Sequence, residues 1–184
     1  SLVGSEMCIR DSWAKLNNLK QSAKTMNFLT EHGISSYGEL ESKLTALSAR
    51  RDTAHAEIKR IESRSAELTL VMKHAGTYRQ LKPLYERYRK SNDKEKFLRG
   101  HESEIILFEA AARECKRLGA VPLPATERMQ AEIDELNARK AILKAELQKA
   151  QRKEQDYAAM RQNVEDFLSP PQPEQERKKN VELE

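Results

Sequence analysis

The chain is poor in most of what a catalytic globular domain is built from. Aromatic residues are only 5% of it, so a large globular core is excluded. Glycine and proline number six each, which leaves few turns between long elements. No stretch shows the strict alternation of a strand, and no glycine-rich phosphate loop occurs. No apolar run approaches the ~20 residues of a membrane span. The four histidines, His32, His55, His74 and His101, stand singly, without a His-x-His or His-Glu-x-x-His motif. What is abundant is charge: 34% of residues are Asp, Glu, Lys or Arg, in an Ala/Glu/Lys/Leu/Arg-rich background typical of long helices.

Residues 1–11 stand apart. Glu6-Met7-Cys8-Ile9-Arg10-Asp11 reads back as GAG ATG TGT ATA AGA GAC, which resembles the transposase end sequence used in sequencing libraries. Leu2 to Ser5 match its adapter in the same frame, so this segment is set aside from fold reasoning. The expectation is a coding sequence cut near Ser12. Without Arg10, Glu6 and Asp11 the net charge moves from +4 to +5, a mild basic bias. Without Cys8 the remaining thiol is Cys115, which cannot form an internal disulfide, so a reducing, cytoplasmic setting is expected.

Two stretches repeat an apolar residue every three and four positions. The first seam reads Leu40, Leu44, Leu47, Arg51, Ala54, Ile58, Ile61, Ser65, Leu68, Met72. The second reads Met129, Ile133, Leu136, Lys140, Leu143, Leu147, Ala150, Glu154, Tyr157. Such a repeat keeps one stripe facing a partner helix. In an antiparallel pair, opposed residues keep a constant index sum. Met72 with Met129, Leu68 with Ile133, Ile58 with Leu143, Ala54 with Leu147 and Leu44 with Tyr157 all sum to 201. This register sets Arg51 against Ala150, Lys140 against Ile61 and Glu154 against Leu47, so no seam charge meets its like, although a slip by one heptad also preserves the stripe.

Local signals place the element ends. Ser12 is positioned to cap a helix from Trp13 to about His32, with Gly33 as its left-handed stop. Ser36-Tyr37-Gly38-Glu39 has capping-box spacing, and Gly76 is the predicted stop of the next helix. Tyr78, Leu81, Tyr85 and Tyr88 predict a separate short helix with Pro83 near its first turns, and Ser91-Asn92-Asp93 a break. Phe97, Leu98, Ile105, Phe108, Ala112, Cys115 and Leu118 follow at helical spacing up to Gly119. Pro122 and Pro124 form a bend, and the last helix runs from Thr126 to about Leu168, before a Pro/Glu/Lys-rich tail predicted to be disordered.

Chemistry-bearing constellations are few. His101 and Glu104 share a helical face, but two ligands three apart are a weak metal signal, and no metal site is assigned. Cys115 among Ala110, Ala111, Ala112 and Leu118 reads as a core residue. The stretch 77–100 exceeds background, with Arg79, Lys82, Arg87, Arg89, Lys90, Lys94, Lys96 and Arg99 against Glu86, Asp93 and Glu95. Three of the five tyrosines, Tyr78, Tyr85 and Tyr88, lie there too. Two readings stand. In one, Arg79, Lys82, Tyr85, Arg87, Tyr88, Arg89, Lys90, Lys96 and Arg99 bind nucleic acid, the cations on phosphates and the rings on unpaired bases. In the other, which composition favours, Tyr85 and Tyr88 pack a helical head while the cations face water.

The segment Trp13-Ala14-Lys15-Leu16-Asn17-Asn18-Leu19-Lys20-Gln21-Ser22-Ala23-Lys24-Thr25-Met26-Asn27-Phe28-Leu29-Thr30-Glu31-His32 resembles the stretch after the nuclease domain in relaxases. These are the mobilisation nucleases of conjugative plasmids and integrative elements. Tyr88-Arg89-Lys90, Lys96-Phe97-Leu98 and His101-Glu102-Ser103-Glu104-Ile105 form a second similar block, and the resemblance covers about 13–168. It implies a parent that nicks one strand at a transfer origin through a tyrosine, with a divalent metal held by a histidine cluster. That cluster does not occur in this sequence, so no tyrosine here inherits the nucleophile's role. The resemblance implies DNA at a transfer origin and relaxosome or coupling proteins as partners, no membrane, and no cofactor outside the nuclease domain.

The resulting expectation is an all-α chain forming an elongated antiparallel coiled-coil hairpin with a small helical head at its tip. Its parts are an N-terminal helix (12–33), a first arm (36–75), the head (76–124), a second arm (125–168) and a tail (169–184). The expected function is a non-catalytic accessory region of a relaxase. The alternative is a structural spacer or dimerisation module without nucleic-acid contact.

Overall fold

A computed structural model describes residues 23–169. The helix start at Ser12 and Trp13, the adapter-like segment and the predicted tail beyond Ser169 lie outside the described residues. The fold is all-α, with helices α1 (Ala23–Glu31), α2 (Tyr37–Lys90), α3 (Lys94–Arg117) and α4 (Thr126–Leu168). No helix among the described residues is long and apolar enough to cross a membrane. The chain divides into two compact units, one drawn from Ser1–Arg51 and Lys149–Glu184, the other formed by Asp52–Gln148.

In the first unit, α1 packs on the beginning of α2 and the end of α4. Leu29, Ile34, Leu40, Leu44, Tyr157 and Val164 make its core. Asn163 donates to the hydroxyl of buried Thr25 at 3.2 Å, so this buried polar group has a partner. Helix α1 ends where Gly33 takes φ 64°, and the amide of Ile34 donates to the Leu29 carbonyl at 2.8 Å while Gly33 donates to Thr30 at 3.1 Å. This is a Schellman closure, completed by the apolar contact of Ile34 and Leu29 within the core. Ser36 Oγ then accepts the Glu39 amide, as the capping box requires. The Glu39 carboxylate reaches back one residue further than expected, to the amide of Ser35 at 2.7 Å, and that bond holds it below the usual carboxylate range.

Tyr37 donates its hydroxyl to Glu165, Arg161 pairs with Glu41 at 3.5 Å, and Arg51 pairs with Glu154 at 2.8 Å. The index on α4 falls as that on α2 rises, so the segments are antiparallel. The Glu165 carboxylate raises the Tyr37 hydroxyl far above its ordinary pKa. Arg51 and Glu154, both seam residues, were each expected opposite an apolar partner. They meet each other instead, because a half-buried charge is costly unless paired.

In the second unit, Ile58, Ile61, Leu143 and Leu147 form one cluster, with Ala54 and Leu136 at its margin. Leu68, Val71, Ala75, Cys115, Ala120 and Met129 form another, with Met72 and Ile133 beside it. The expected pairings Ile58–Leu143, Ala54–Leu147 and Met72–Met129 thus fall within shared clusters, and no seam residue is exposed. Flanking ion pairs confirm the direction: Glu57 with Arg139 at 3.0 Å, Glu62 with Lys140 at 2.8 Å, Arg64 with Glu132 at 2.7 Å. All lie within a few residues of the expected index sum and less than a heptad from it.

The predicted stop at Gly76 is absent. Helix α2 continues through Gly76 and Pro83 to Lys90, so the separate short helix of 77–90 does not exist. A helical glycine costs about 1 kcal/mol and an interior proline about 3 kcal/mol relative to alanine. Both residues are exposed, while buried Val71 and Ala75 and partly buried Tyr78 and Tyr85 tie the inner face down around them. Burial worth about 1.5–3 kcal/mol per large side chain outweighs the local cost. Helix α3 ends in a second Schellman closure at Gly119 (φ 70°), with Ala120 donating to Cys115 and Gly119 to Lys116.

The two helix-stop glycines and Gly76 respond oppositely to alanine. No heavy atom lies within 4 Å of a Cβ built on Gly76, and its φ is not positive, so Gly76→Ala raises stability by about 0.5–1 kcal/mol. Gly119→Ala forces alanine into the left-handed region and lowers stability by about 1 kcal/mol. Urea midpoints at unchanged slope read both; a destabilised Gly76→Ala would mean that the helix does not pass through that residue. Acid acts on the ion pairs. Arg64 holds Glu132, and Lys140 holds Glu62, below the usual carboxylate range. A depressed carboxylate contributes stability above its unfolded pKa and loses it as pH falls through the folded value. The urea midpoint therefore drops as pH is taken below about 4.3, and Glu132→Gln shallows that drop.

Candidate nucleic-acid interface

The basic stretch straddles the turn between α2 and α3. Arg87, Arg89 and Lys90 occupy the last turn of α2, and Lys94 opens α3. Ser91-Asn92-Asp93 breaks the helix as expected, and Asp93 caps α3 by accepting the Lys96 amide at 3.0 Å.

An aromatic series fixes the two helices together. Phe108 of α3 stacks on Tyr78 (centroids 4.8 Å apart) and on Tyr85 (4.3 Å), two turns apart on α2. Tyr85 lies 6.0 Å from Tyr88, Tyr88 5.9 Å from Phe97, and Phe97 4.7 Å from His101. His101 has φ −140° and marks a kink in α3, which swings the first turns of the helix against Tyr88. Its Nδ1 lies 3.7 Å from Glu104, the pair noted in the sequence. No group of three or more His, Cys, Asp or Glu among the described residues is arranged to hold a metal ion. Cys115 is buried, and burial raises its thiol above the ordinary pKa.

The nine nucleic-acid candidates do not act alike. Arg79 is committed to the fold: its guanidinium donates to the Pro124 carbonyl at 2.6 Å and to Thr126 Oγ1 at 3.0 Å, clamping the start of α4. Lys82 sits 6.0 Å from the Tyr78 ring and Arg87 5.7 Å from the Phe97 ring, so both share their charge with a π face. Tyr85 and Tyr88 belong to the aromatic series. Arg99 donates to the Glu95 carbonyl at 3.4 Å.

Arg89, Lys90 and Lys96 are exposed and have no acidic partner among the described residues. Lys94 joins them, although the sequence reading did not single it out. Its neighbours Asp93 and Glu95 cancel it in a linear charge count. Asp93, however, turns to the helix amides. The Asp-x-x-Lys cap signature at 93–96 was the signal that could have separated them.

Helix electrostatics explains part of this charge. Cations in the last turn of α2 oppose its dipole, whereas Lys94 and Lys96 stand in the first turn of α3, where cations are disfavoured. Comparison with protein-family models, curated proteins and solved structures finds no match. The cluster has its own chemistry: four exposed cations that can neutralise phosphate oxygens.

Arg79→Ala lowers stability by about 1 kcal/mol through loss of two exposed hydrogen bonds. Phe108→Ala, at a side chain only 5% exposed, lowers it by about 3–5 kcal/mol and removes the near-ultraviolet circular dichroism of the stacked tyrosines. An unchanged tyrosine signal in Phe108→Ala would disprove the aromatic series.

Proposed function

We propose that the chain is a non-catalytic accessory region that holds DNA by its phosphates at the α2–α3 turn, as the C-terminal helical region of a relaxase would. The observation that carries this reading is the exposure of Arg89, Lys90, Lys94 and Lys96 without an acidic partner among the described residues. Helix electrostatics accounts for Arg89 and Lys90 at the end of α2 but not for Lys94 and Lys96, which oppose the polarity of the helix that they begin. A site that breaks local rules inside an otherwise consistent fold is where function is expected. The resemblance to relaxases supports the same place, because Tyr88-Arg89-Lys90 and Lys96-Phe97-Leu98 flank this turn.

The test is titration of the full chain with labelled single-stranded and duplex DNA at low salt, beside an inert protein of similar net charge. The expected affinity is that of non-specific binding, in the range of about 1–100 μM at physiological salt and tighter below it. Lys90→Glu combined with Lys94→Glu weakens binding at least about tenfold and flattens the salt dependence by about one unit per lost phosphate contact. Helical circular dichroism stays the same, because Lys90→Glu loses a favourable charge at the end of α2 while Lys94→Glu gains one at the start of α3. Binding no stronger than that of the inert protein rejects the reading, and metal-dependent nicking by this chain would reject its non-catalytic part.

A further inference from the structure

We infer that the turn recognises the sugar–phosphate backbone alone, so that its ligand class is any phosphodiester strand, irrespective of base identity or of whether the bases are present. This rests on the nucleic-acid reading above and narrows it. Proteins that grip single strands usually pair a basic groove with aromatic platforms on which bases stack. Here the basic groups and the aromatic groups share one stretch of sequence but have separate tasks. Tyr78 and Tyr85 stack on Phe108 at 26° and 24°, near-parallel contacts that occupy ring faces. Tyr88 is held between Tyr85 and Phe97, and Phe97 between Tyr88 and His101, with the Arg87 guanidinium also near its ring. Every aromatic residue of 77–108 thus has an aromatic neighbour within the protein.

The cations lie elsewhere. Arg89, Lys90, Lys94 and Lys96 are exposed, and Tyr78, Tyr85, Tyr88 and Phe97 are half-buried. Exchanging an internal stack for a base stack would open the α2–α3 contact, so the platform is not free to be lent to a ligand. Three of the four cations are lysines, compact charges that lack the planar fork suited to base edges. What is left for a ligand is charge alone.

The experiment compares strands of equal length in which the bases are natural or wholly abasic, titrated against the full chain across a salt series. The expected result is equal affinity within about twofold, with slopes near −3 for both strands, the value for about four neutralised phosphates on a single strand. A stacked base is worth roughly five- to 150-fold in affinity, so an abasic strand that binds tenfold or more weakly overturns this inference while leaving the nucleic-acid reading in place. If neither strand binds, both fail. In a second arm, Lys94→Gln and Lys96→Gln weaken the two strands by the same factor; a loss confined to the natural strand would again show base contact and overturn the inference.

Discussion

Ile58 and Ile61 meet Leu143 and Leu147 across a seam only one side chain deep. Two helices in contact cover each such residue from one side, so each gains less than the ~1.5–3 kcal/mol of full burial and must still offset the entropy of being ordered. At this cluster no residue of a third helix joins the core, so a gap there would have no neighbour to fill it. Even the polar residues on the stripe are accordingly kept covered: Lys140 leans out to Glu62 at its edge, and Arg51 and Glu154 neutralise one another. The flanking pairs of Glu57 with Arg139 and Arg64 with Glu132 then discourage slippage, because a shift by one heptad would leave the stripe intact but separate these charges.

Where the seam gives way to the α2–α3 junction, aromatic stacking takes over. Phe108 receives a tyrosine from each of two successive turns-of-two on α2, and the kink at His101 brings Phe97 to Tyr88. This uses half of the chain's scarce aromatic residues in one place.

Much of this was legible beforehand because it rests on short-range rules. The seams and their helical pairing follow from a seven-residue period, but that period leaves the register open to a slip by one heptad, and the flanking ion pairs that resist such a slip lie off the stripe. Gly33 and Gly119 were readable as stops, since each follows a helical pattern and precedes an apolar residue that can close on the last turn. Gly76 carried the same local sign, but it lacks what makes a stop: the chain after it, from Tyr78, still presents an apolar face to α3. That face is defined by Phe108, thirty residues away, and no local rule reports it. The basic stretch was visible as composition, yet its division into a clamp (Arg79), two π-bound cations (Lys82 and Arg87) and an open group (Arg89, Lys90, Lys94, Lys96) depends on which groups the folded chain brings near. Lys94 shows the limit most clearly, because its charge emerges only once Asp93 has turned to cap a helix.

The Tyr78–Phe108 stack joins residues close along the chain, Arg64–Glu132 spans a longer loop, and Tyr37–Glu165 closes nearly the whole described length. Loop-closure entropy rises with span, so the aromatic junction is the cheapest contact to make first. The Tyr37 hydroxyl bond carries the largest closure cost of the three, and it is drawn from the two ends of the described chain.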